Sequence, residues 1–501
     1  MDKQYNSTFS AGNHYLHTEQ WLDKHSSGLL LIDGQWVKAH NEKYYEVINP
    51  YTEEVIGKIS DAGLDDMEKS IQAARFAFEH ASWADISPQQ RCNFLLEIAS
   101  LIERDAEELA LIETLNTGMP IGLSRMWASS AIELFRYYAG WPTKMYGKTN
   151  PGVSSVMSFT LREPLGVCAL IVPWNAPFGV AVQKIAPALA CGNTVIIKPS
   201  PLTPYSIIKL GELMLEAGLP SGVFNILTSN AGSEVGSGLA SHPKIDLLSF
   251  TGSTAVGKEI LAQSKHNLKK TILELGGKSP NILFADADLE KAIPIAVNAF
   301  CCNSGQVCIA GSRLFVQEEI YDKVVDKICS LVSQIRLGSP LDEQTQMGPL
   351  ISYEHLNRVS SYVDIGVAEG ATLKVGGYQE KRKGFFFKPA IFTDVLPNMR
   401  IAQEEIFGPV LCIMPFKDER DAIHQSNASE YGLAASVWTR DMGRVNRMVK
   451  KLQAGYVWVN TYFEADAISP FGGYKQSGLG RELGEESIDM YTQIKSVVLR
   501  G

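Results

Sequence analysis

Apolar residues recur at spacings of three and four in the first third of the chain, which is the period of an amphipathic helix. This pattern covers residues 65–81 and 87–118. The second stretch begins at Ser87 and Pro88, a hydroxyl residue that can cap a helix and a proline that suits its first turn, and it ends near Gly118. The first third is therefore predicted to be mostly helical.

From about residue 165 the pattern changes, and short apolar runs alternate with helical stretches. Strand–helix units of this length predict a parallel sheet covered by helices on both faces. A second alternation begins near Lys278 and continues to about residue 460, which predicts a second α/β domain. In the first series we expect strands at 166–172, 193–198, 223–228, 244–251 and 270–275, and helices at 178–190, 205–218, 233–240 and 253–265.

Composition narrows the class of protein. Of the 501 residues, 45% are hydrophobic and 20% are charged, as in ordinary globular proteins. The net charge of −9 comes without a basic block, so neither nucleic acid nor an anionic membrane is an expected partner. The polar N-terminus lacks the apolar core of a secretion signal, and eight cysteines are too few for a disulfide scaffold. We therefore expect a cytoplasmic, enzyme-sized protein.

The segment FCCNSGQVCIAGSR at 300–313 contains Cys301, Cys302 and Cys308. It has no C-x2-C pair and no histidine close in sequence, which argues against zinc, and a disulfide between adjacent cysteines would be strained. Cys301 and Cys302 end an apolar helical stretch and are expected to pack in the core. Cys308 follows a loop-forming sequence, where a thiol can be accessible enough to act as a nucleophile. The local sequence leaves packing and catalysis both open for Cys308.

Other candidate residues follow the predicted strands, because ligands of parallel sheets bind beyond the carboxyl ends of the strands. Residues 173–175, 198–201 and 252–257 occupy such positions. The last segment would bring backbone N–H groups, a hydroxyl and the start of a helix near an anion. It lacks the complete G-x-G-x-x-G pattern, so a tight turn explains it about as well.

A set of segments, taken in order, connects these positions: PWNAP (173–177), GNTVIIKPSPLTP (192–204), FTGSTAVGK (250–258), LELGGKSP (273–280), NSGQVCIAGSR (303–313), EEIFGPV (404–410) and PFGGYKQSGLGRELG (470–484). Together they resemble the aldehyde dehydrogenase superfamily, in its hydrolytic, non-acylating branch. The resemblance extends from about residue 30 to 500. It implies an α/β fold with a Rossmann-like parallel-sheet cofactor domain, a second α/β catalytic domain and a small β oligomerisation element.

The resemblance also implies how the chain is divided. The cofactor domain would comprise residues 1–141 and 165–276, and the catalytic domain residues 277–478. Residues 142–164 and 479–501 would form the oligomerisation element, which implies a homodimer or a homotetramer. A small-molecule aldehyde is the other expected partner.

Four residues match catalytic positions of the family. Cys308 matches the nucleophile that attacks the aldehyde carbon, and Asn175 matches the oxyanion donor, a role that suits an amide because it donates without ionising. Glu274 matches the general base that activates water for hydrolysis of the thioester, and Lys184 matches a lysine associated with proton relay. Acylation of coenzyme A and a non-catalytic role are the alternatives. The presence of Cys308, Asn175 and Glu274 disfavours both.

For the cofactor, the resemblance implies that Lys198 contacts the adenosine ribose and Ser253 the pyrophosphate. Glu405 would hold the nicotinamide ribose, with Phe407 packed near the nicotinamide. Pro201 stands where NAD-preferring members usually carry a glutamate that would repel a 2′-phosphate, which leaves NAD and NADP both open. NAD is favoured, since no nearby arginine replaces the glutamate. Further expected cofactor contacts are Trp174, Ser200, Gly252 and Gly257.

The loop at 460–473 corresponds to the aldehyde entrance of the family. Tyr462 and Phe463 favour a bulky hydrophobic or aromatic aldehyde, while Glu464 and Asp466 leave an amino- or other polar aldehyde as the alternative. Ala176 and Gln183 stand where many relatives have bulky aromatic residues, which indicates a roomier or more polar tunnel.

Overall fold

The computed structural model describes residues 6–25, 27–80, 83–152, 155–230, 232 and 234–500. The remaining residues, some of which belong to predicted elements or domains, lie outside the described ranges: 1–5, 26, 81, 82, 153, 154, 231, 233 and 501. The α-helices are Asn6–Lys24, Leu64–Glu79, Pro88–Arg104, Ala106–Thr117, Ile121–Ala139, Pro177–Ala190, Tyr205–Glu216, Glu234–Ser241, Thr254–Gln263, Leu289–Cys301, Tyr321–Ser333, Tyr353–Ala368, Arg400–Gln403, Glu419–Asn427, Met442–Lys451 and Glu486–Met490. Among the described helices, none is long and apolar enough to cross a bilayer.

The second predicted helix is two helices. Ser87 caps the first of them by accepting a backbone N–H of the first turn at 3.3 Å, and Gly118 ends the second with a left-handed φ of 76°. The break falls at Asp105, a residue type that favours helix ends. Its carboxylate pairs with Lys209 at 3.1 Å. The prediction of one continuous helix was wrong because the apolar spacing continues across Asp105 from one helix to the next.

The larger sheet confirms the predicted parallel series. Its strands lie in the order Gly478–Leu479, Lys270–Glu274, Leu247–Thr251, Val167–Ile171, Thr194–Lys198, Phe224–Ile226, Leu30–Ile32 and Gln35–Val37. The central strands run parallel, and the flanking ones are antiparallel. Almost every side chain of the central strands is buried, as expected where helices cover both faces. Their carboxyl ends share one edge of the sheet, which aligns the residues that follow Ile171, Lys198 and Thr251 along the edge where Glu274 lies.

A second sheet follows the boundary predicted near Lys278. Its strands lie in the order Thr372–Val375, Ala390–Thr393, Val410–Phe416, Arg313–Gln317, Pro280–Leu283, Ala434–Trp438 and Tyr456–Val459, all parallel except the first pair. The predicted two-sheet α/β fold is therefore confirmed. The first third also contains short strands that the helical prediction missed: Ser27–Gly28, Glu54–Ser60 and Tyr44–Asn49 form a small separate sheet.

Thr492–Arg500 pairs antiparallel with Val156–Pro164, which also pairs with Thr149–Asn150. These strands belong to the predicted oligomerisation element. The predicted domain limits stay a prediction, and Gly478–Leu479 joins the larger sheet although a limit was expected between these two residues. Tyr431–Gly432 and Tyr474–Lys475 form a further two-stranded ladder.

Candidate active site

The loop before Cys308 reverses sharply after the helix Leu289–Cys301. Asn303 and Ser304 have left-handed φ values of 49° and 57°, which cost free energy in non-glycine residues and need support from the surroundings. The Asn303 amide donates to the backbone carbonyl of Asn175 at 2.8 Å, and the Ser304 hydroxyl donates to the carbonyl of Gly348 at 2.8 Å. The cysteine loop is thus tied to the end of the strand Val167–Ile171.

A second hydrogen bond joins the same two segments, with the Asn175 side chain as the donor. Its amide nitrogen donates to the backbone carbonyl of Gln306 at 2.9 Å. Two reciprocal amide–carbonyl bonds therefore hold the segment before Cys308 against Asn175. Asn175 and Cys308 were predicted to share one site although they lie far apart along the chain, and the structure brings their segments together.

Cys308 is partly exposed. Burial raises the pKa of Cys308 to about 12, and Glu405 and Glu274 raise the pKa further in the same direction. The thiol is therefore protonated at neutral pH and needs a base to become a nucleophile. Cys301 packs in the core as expected, whereas Cys302 is partly exposed, which differs from the prediction that both are packed.

Glu274 ends the strand Lys270–Glu274 and is only 4% exposed. Burial raises the pKa of its carboxyl well above the ordinary value, and the neighbouring Glu482 raises the pKa further. Within the described part of the chain, neither carboxyl oxygen has a hydrogen-bond partner. A buried carboxylate without fixed donors is a stronger base than an exposed glutamate.

Lys184 lies behind this carboxyl in a buried polar cluster. Its ammonium pairs with Glu482 and donates to the Ser249 hydroxyl at 2.9 Å, and that hydroxyl donates to Glu482 at 3.1 Å. Lys184 lowers the pKa of Glu274 while Glu482 raises it, so the pair acts on the candidate base in opposite directions. Sequence analysis proposed Lys184 but missed Glu482 and Ser249. Glu482 stood inside a quoted family segment, but its partner is 298 positions away.

Glu405 is held by the glycine pair that separates the two sheets. The N–H of Gly277 donates to its carboxylate at 3.0 Å. A Cβ at Gly276 would lie 2.3 Å from the other carboxylate oxygen, so a larger residue there would displace the Glu405 carboxylate from this position. Burial raises the pKa of Glu405 to about 7, against the lowering effects of Gly277, Lys278 and Arg358. The sequence G-G-K thus forms a cradle for this carboxylate.

Phe407 follows on the same segment with an unusual backbone. Its φ of 63° is left-handed. Its ring lies edge to face with Trp174 at a centroid distance of 5.3 Å, and Trp174 lies in the same way against His355 at 5.1 Å. Phe407 was predicted near the nicotinamide and Trp174 among the cofactor contacts, but His355 was missed, since a lone histidine on a helix carries no distinctive pattern.

The remaining cofactor candidates lie at the strand ends. Burial lowers the pKa of Lys198 to about 8, against the opposing charge of Asp61. The Ser253 hydroxyl caps the helix Thr254–Gln263 by accepting a backbone N–H at 3.4 Å, and a Cβ at Gly257 would meet Leu275 at 2.5 Å. The segment is therefore a tight strand-to-helix turn, and its contact with the pyrophosphate stays a prediction. The other predicted contacts, Ser200 and Gly252, lie on these same two turns.

The residues predicted to contact the substrate differ in how far they are buried. Tyr462 is buried, and its hydroxyl donates to the backbone carbonyl of Ile309 at 2.8 Å, so it supports the loop just after Cys308. Phe463 is partly exposed, and Glu464 is exposed. Neighbouring rings form an aromatic cluster with Tyr462 and Phe463; its other members are Tyr456, Trp458 and Phe471.

Two parallel sheets, a thiol beside a buried carboxyl group, and an amide tied to the thiol's loop are features of an enzyme that works through a covalent cysteine intermediate. The chain matches the model of the aldehyde dehydrogenase family over residues 36–497 and belongs to that family. It is therefore an oxidoreductase of class EC 1.2.1, which confirms the resemblance drawn from its motifs.

Named relatives cover nearly the full length. The betaine aldehyde dehydrogenase of Bacillus subtilis is 44% identical over 476 residues, 94% of this chain and 97% of that protein. Human retinal dehydrogenase 2 is 44% identical over 475 residues, 94% of this chain and 91% of that protein. A crystal structure of Staphylococcus aureus betaine aldehyde dehydrogenase in complex with NAD+ has a TM-score of 0.95 and 42% identity, and the match covers 97% of each chain.

Proposed function

We propose that the protein oxidises an aldehyde to a carboxylic acid through a thioester on Cys308, with NAD+ as the favoured cofactor. The observation that carries this proposal is the meeting of three groups. The Cys308 thiol is close enough to Glu274 for the carboxyl to raise its pKa, and the loop before it is bonded to Asn175. The overall reaction converts aldehyde, NAD+ and water into acid, NADH and a proton.

The residues at the strand ends fit a dinucleotide. Glu405, held by Gly277, presents a carboxylate that can accept two ribose hydroxyls, and the rings of Trp174 and Phe407 flank the same region. Lys198 and the helix start at Ser253 suit the adenosine ribose and the pyrophosphate. When bound, NAD+ accepts the hydride that leaves the carbon attached to the cysteine sulfur.

The chain's own groups can carry out the other steps. Cys308 loses its proton to a base and bonds to the aldehyde carbon, and the Asn175 amide stabilises the negative charge that develops on the oxygen. After hydride loss, Glu274 takes a proton from water, and the hydroxide displaces the thiolate to release the acid. Lys184, paired with Glu482, adjusts the pKa of Glu274. It also helps to carry away the proton that Glu274 takes from water. Glu274 therefore makes hydrolysis a better proposal than transfer to coenzyme A.

For the substrate, we propose a polar or positively charged aldehyde. The relatives named for betaine aldehyde support this alternative over the bulky hydrophobic aldehyde that Tyr462 and Phe463 first favoured. The aromatic cluster beside the loop can attract a cation through its ring faces, and the exposed Glu464 and Asp466 add negative charge. The buried position of Tyr462 also weakens the original argument for an apolar entrance.

A panel of aldehydes assayed with NAD+ and with NADP+ tests these choices together. We expect acid to form without coenzyme A, and kcat/KM to be at least about tenfold higher for betaine aldehyde or an amino-aldehyde than for an uncharged aldehyde of the same size, which is the range of a cation–π contact. NAD+ should be preferred over NADP+. A preference for long apolar aldehydes would overturn the substrate proposal, and a large preference for NADP+ would overturn the cofactor proposal.

Changing the buried pair should move the pH profile of turnover. In Glu482→Gln, the charge that raises the pKa of Glu274 is removed while the lowering effects of Lys184 and Arg481 remain, so the pKa of Glu274 falls. The base then stays ionised to lower pH, and the acid limb of the kcat profile shifts to lower pH. Lys184→Met should shift the acid limb in the opposite direction. Because breaking a buried pair costs about 3–5 kcal/mol, the profiles are measured well below each variant's Tm.

Opposite shifts in the two variants would support the electrostatic role of the pair. Equal shifts, or none, would contradict it, since general loosening of the fold cannot move one limb in two directions.

We further propose that the protein is a homo-oligomer that uses the sheet ending in Thr492–Arg500. Ile494, Val498 and Leu499 are exposed apolar residues on this strand, and Met157 is exposed on its neighbour. An exposed apolar strand favours pairing with a second copy.

A further inference from the structure

One helix face contacts the segment that contains Glu405 and Phe407. On the helix Tyr353–Ala368, the residues His355, Arg358 and Tyr362 are separated by three and four positions, which places them on one face. Each of the three makes a hydrogen bond to the segment that follows the short helix Arg400–Gln403.

The three hydrogen bonds go to different residues of the segment 404–407. The His355 ring nitrogen Nε2 bonds to the backbone carbonyl of Phe407 at 2.7 Å. The Arg358 guanidinium donates to the backbone carbonyl of Glu405 at 2.8 Å, and the Tyr362 hydroxyl donates to the Glu404 carboxylate at 2.7 Å. Two of these bonds fix main-chain atoms, so they set the path of the backbone as well as the side chains.

The backbone at Phe407 has a conformation that needs support from neighbouring residues. Phe407 has a left-handed φ of 63°, a conformation that is costly for an aromatic residue and persists only where neighbours hold it. Because a carbonyl can only accept, the neutral His355 ring must donate through Nε2–H. Burial lowers the pKa of His355 to about 4, so the ring is neutral at neutral pH. The same ring packs against Trp174, which packs against Phe407.

We propose that His355 is a positioning residue for the nicotinamide half of the cofactor, assisted by Arg358 and Tyr362, and that it acts by holding the backbone of Phe407 and Glu405. This inference rests on the proposed cofactor binding. The contacts of His355 go to Phe407 and Trp174, beside the nicotinamide end of the proposed site, whereas Lys198 and Ser253 were assigned to the adenosine ribose and the pyrophosphate. Loss of the hydrogen bond from His355 should therefore weaken contacts to the nicotinamide ribose while leaving contacts to adenosine intact.

The test compares NAD+ with AMP, which has adenine, ribose and phosphate but no nicotinamide ribose. Calorimetry on the full-length protein measures both dissociation constants for His355→Ala, His355→Gln and Tyr362→Phe. We expect His355→Ala to raise the Kd for NAD+ roughly tenfold and to change the Kd for AMP by less than about twofold. His355→Gln keeps an N–H donor and should recover most of the loss. Tyr362→Phe should show a smaller change with the same selectivity.

His242 gives a matched control, because it is also partly buried and its ring is hydrogen-bonded, to Glu68 at 3.0 Å and to the backbone N–H of Lys244 at 3.1 Å. His242→Ala should bind NAD+ and AMP as the unchanged protein does. Equal weakening of NAD+ and AMP in His355→Ala would mean a general structural effect and would overturn the proposal, as would unchanged NAD+ binding. Failure of the unchanged protein to bind NAD+ would instead refute the proposed function.

Discussion

Replacing Cys308 by serine should lower aldehyde oxidation by roughly 10³-fold or more, because an alcohol at this position is a far weaker nucleophile than a thiolate. The loss should appear in kcat with bound NAD+ unaffected. The measurement is the steady-state rate of NADH formation, together with the Kd for NAD+ in the same preparation. Retained cofactor binding separates lost chemistry from lost folding.

Cys302→Ser is the matched control. Cys302 lies only six positions before Cys308 and is partly exposed. Its replacement by serine is the same chemical change. We expect it to keep activity within about twofold, since a partly exposed substitution away from the reacting atoms has little effect. Normal turnover by Cys308→Ser, or a comparable loss in Cys302→Ser, would contradict the assignment of the nucleophile.

Replacing Glu274 by glutamine should separate the two halves of the reaction. The amide has nearly the same size as the carboxyl but cannot accept a proton from water, so hydrolysis of the thioester should slow by about 10²–10⁴-fold. If attack by Cys308 remains faster than hydrolysis, the first turnover releases a burst of NADH equal to the enzyme concentration. A slow steady rate then follows, which stopped-flow absorbance can record.

The control for this variant is Glu54→Gln, which makes the same change on an exposed surface residue paired with Lys383. It should show the unchanged rate. Steady turnover by Glu274→Gln at the original rate would count against Glu274 as the base. A loss of both the burst and the steady phase would place Glu274 before hydride transfer, as the base that deprotonates Cys308.

The sequence predicted the parts of the site that follow from a parallel sheet. Asn175, Lys198, Gly252 and Glu274 were all expected at strand ends, and the confirmed sheet places those ends along one edge. The resemblance to a family then gave these positions roles that their local sequence left open.

What the sequence could not show depends on contacts between distant residues. Glu482 pairs with Lys184, and His355 bonds to the carbonyl of Phe407; neither relation follows from spacing along the chain. Tyr462 was expected to face the substrate, whereas its hydroxyl is bonded to the loop after Cys308. The helix break at Asp105 was also missed, because the apolar spacing continues across it.

The central claim is that the aldehyde carbon becomes an acyl group on Cys308. It is tested most directly by mixing Glu274→Gln with aldehyde and NAD+, stopping the reaction with acid, and sequencing the tryptic peptide 292–313 by mass spectrometry. This peptide contains Cys301, Cys302 and Cys308. We predict an added mass equal to the aldehyde less two hydrogens, located on Cys308 and absent without NAD+. An adduct on Cys301 or Cys302, or a burst of NADH with no adduct on the peptide, would contradict the account.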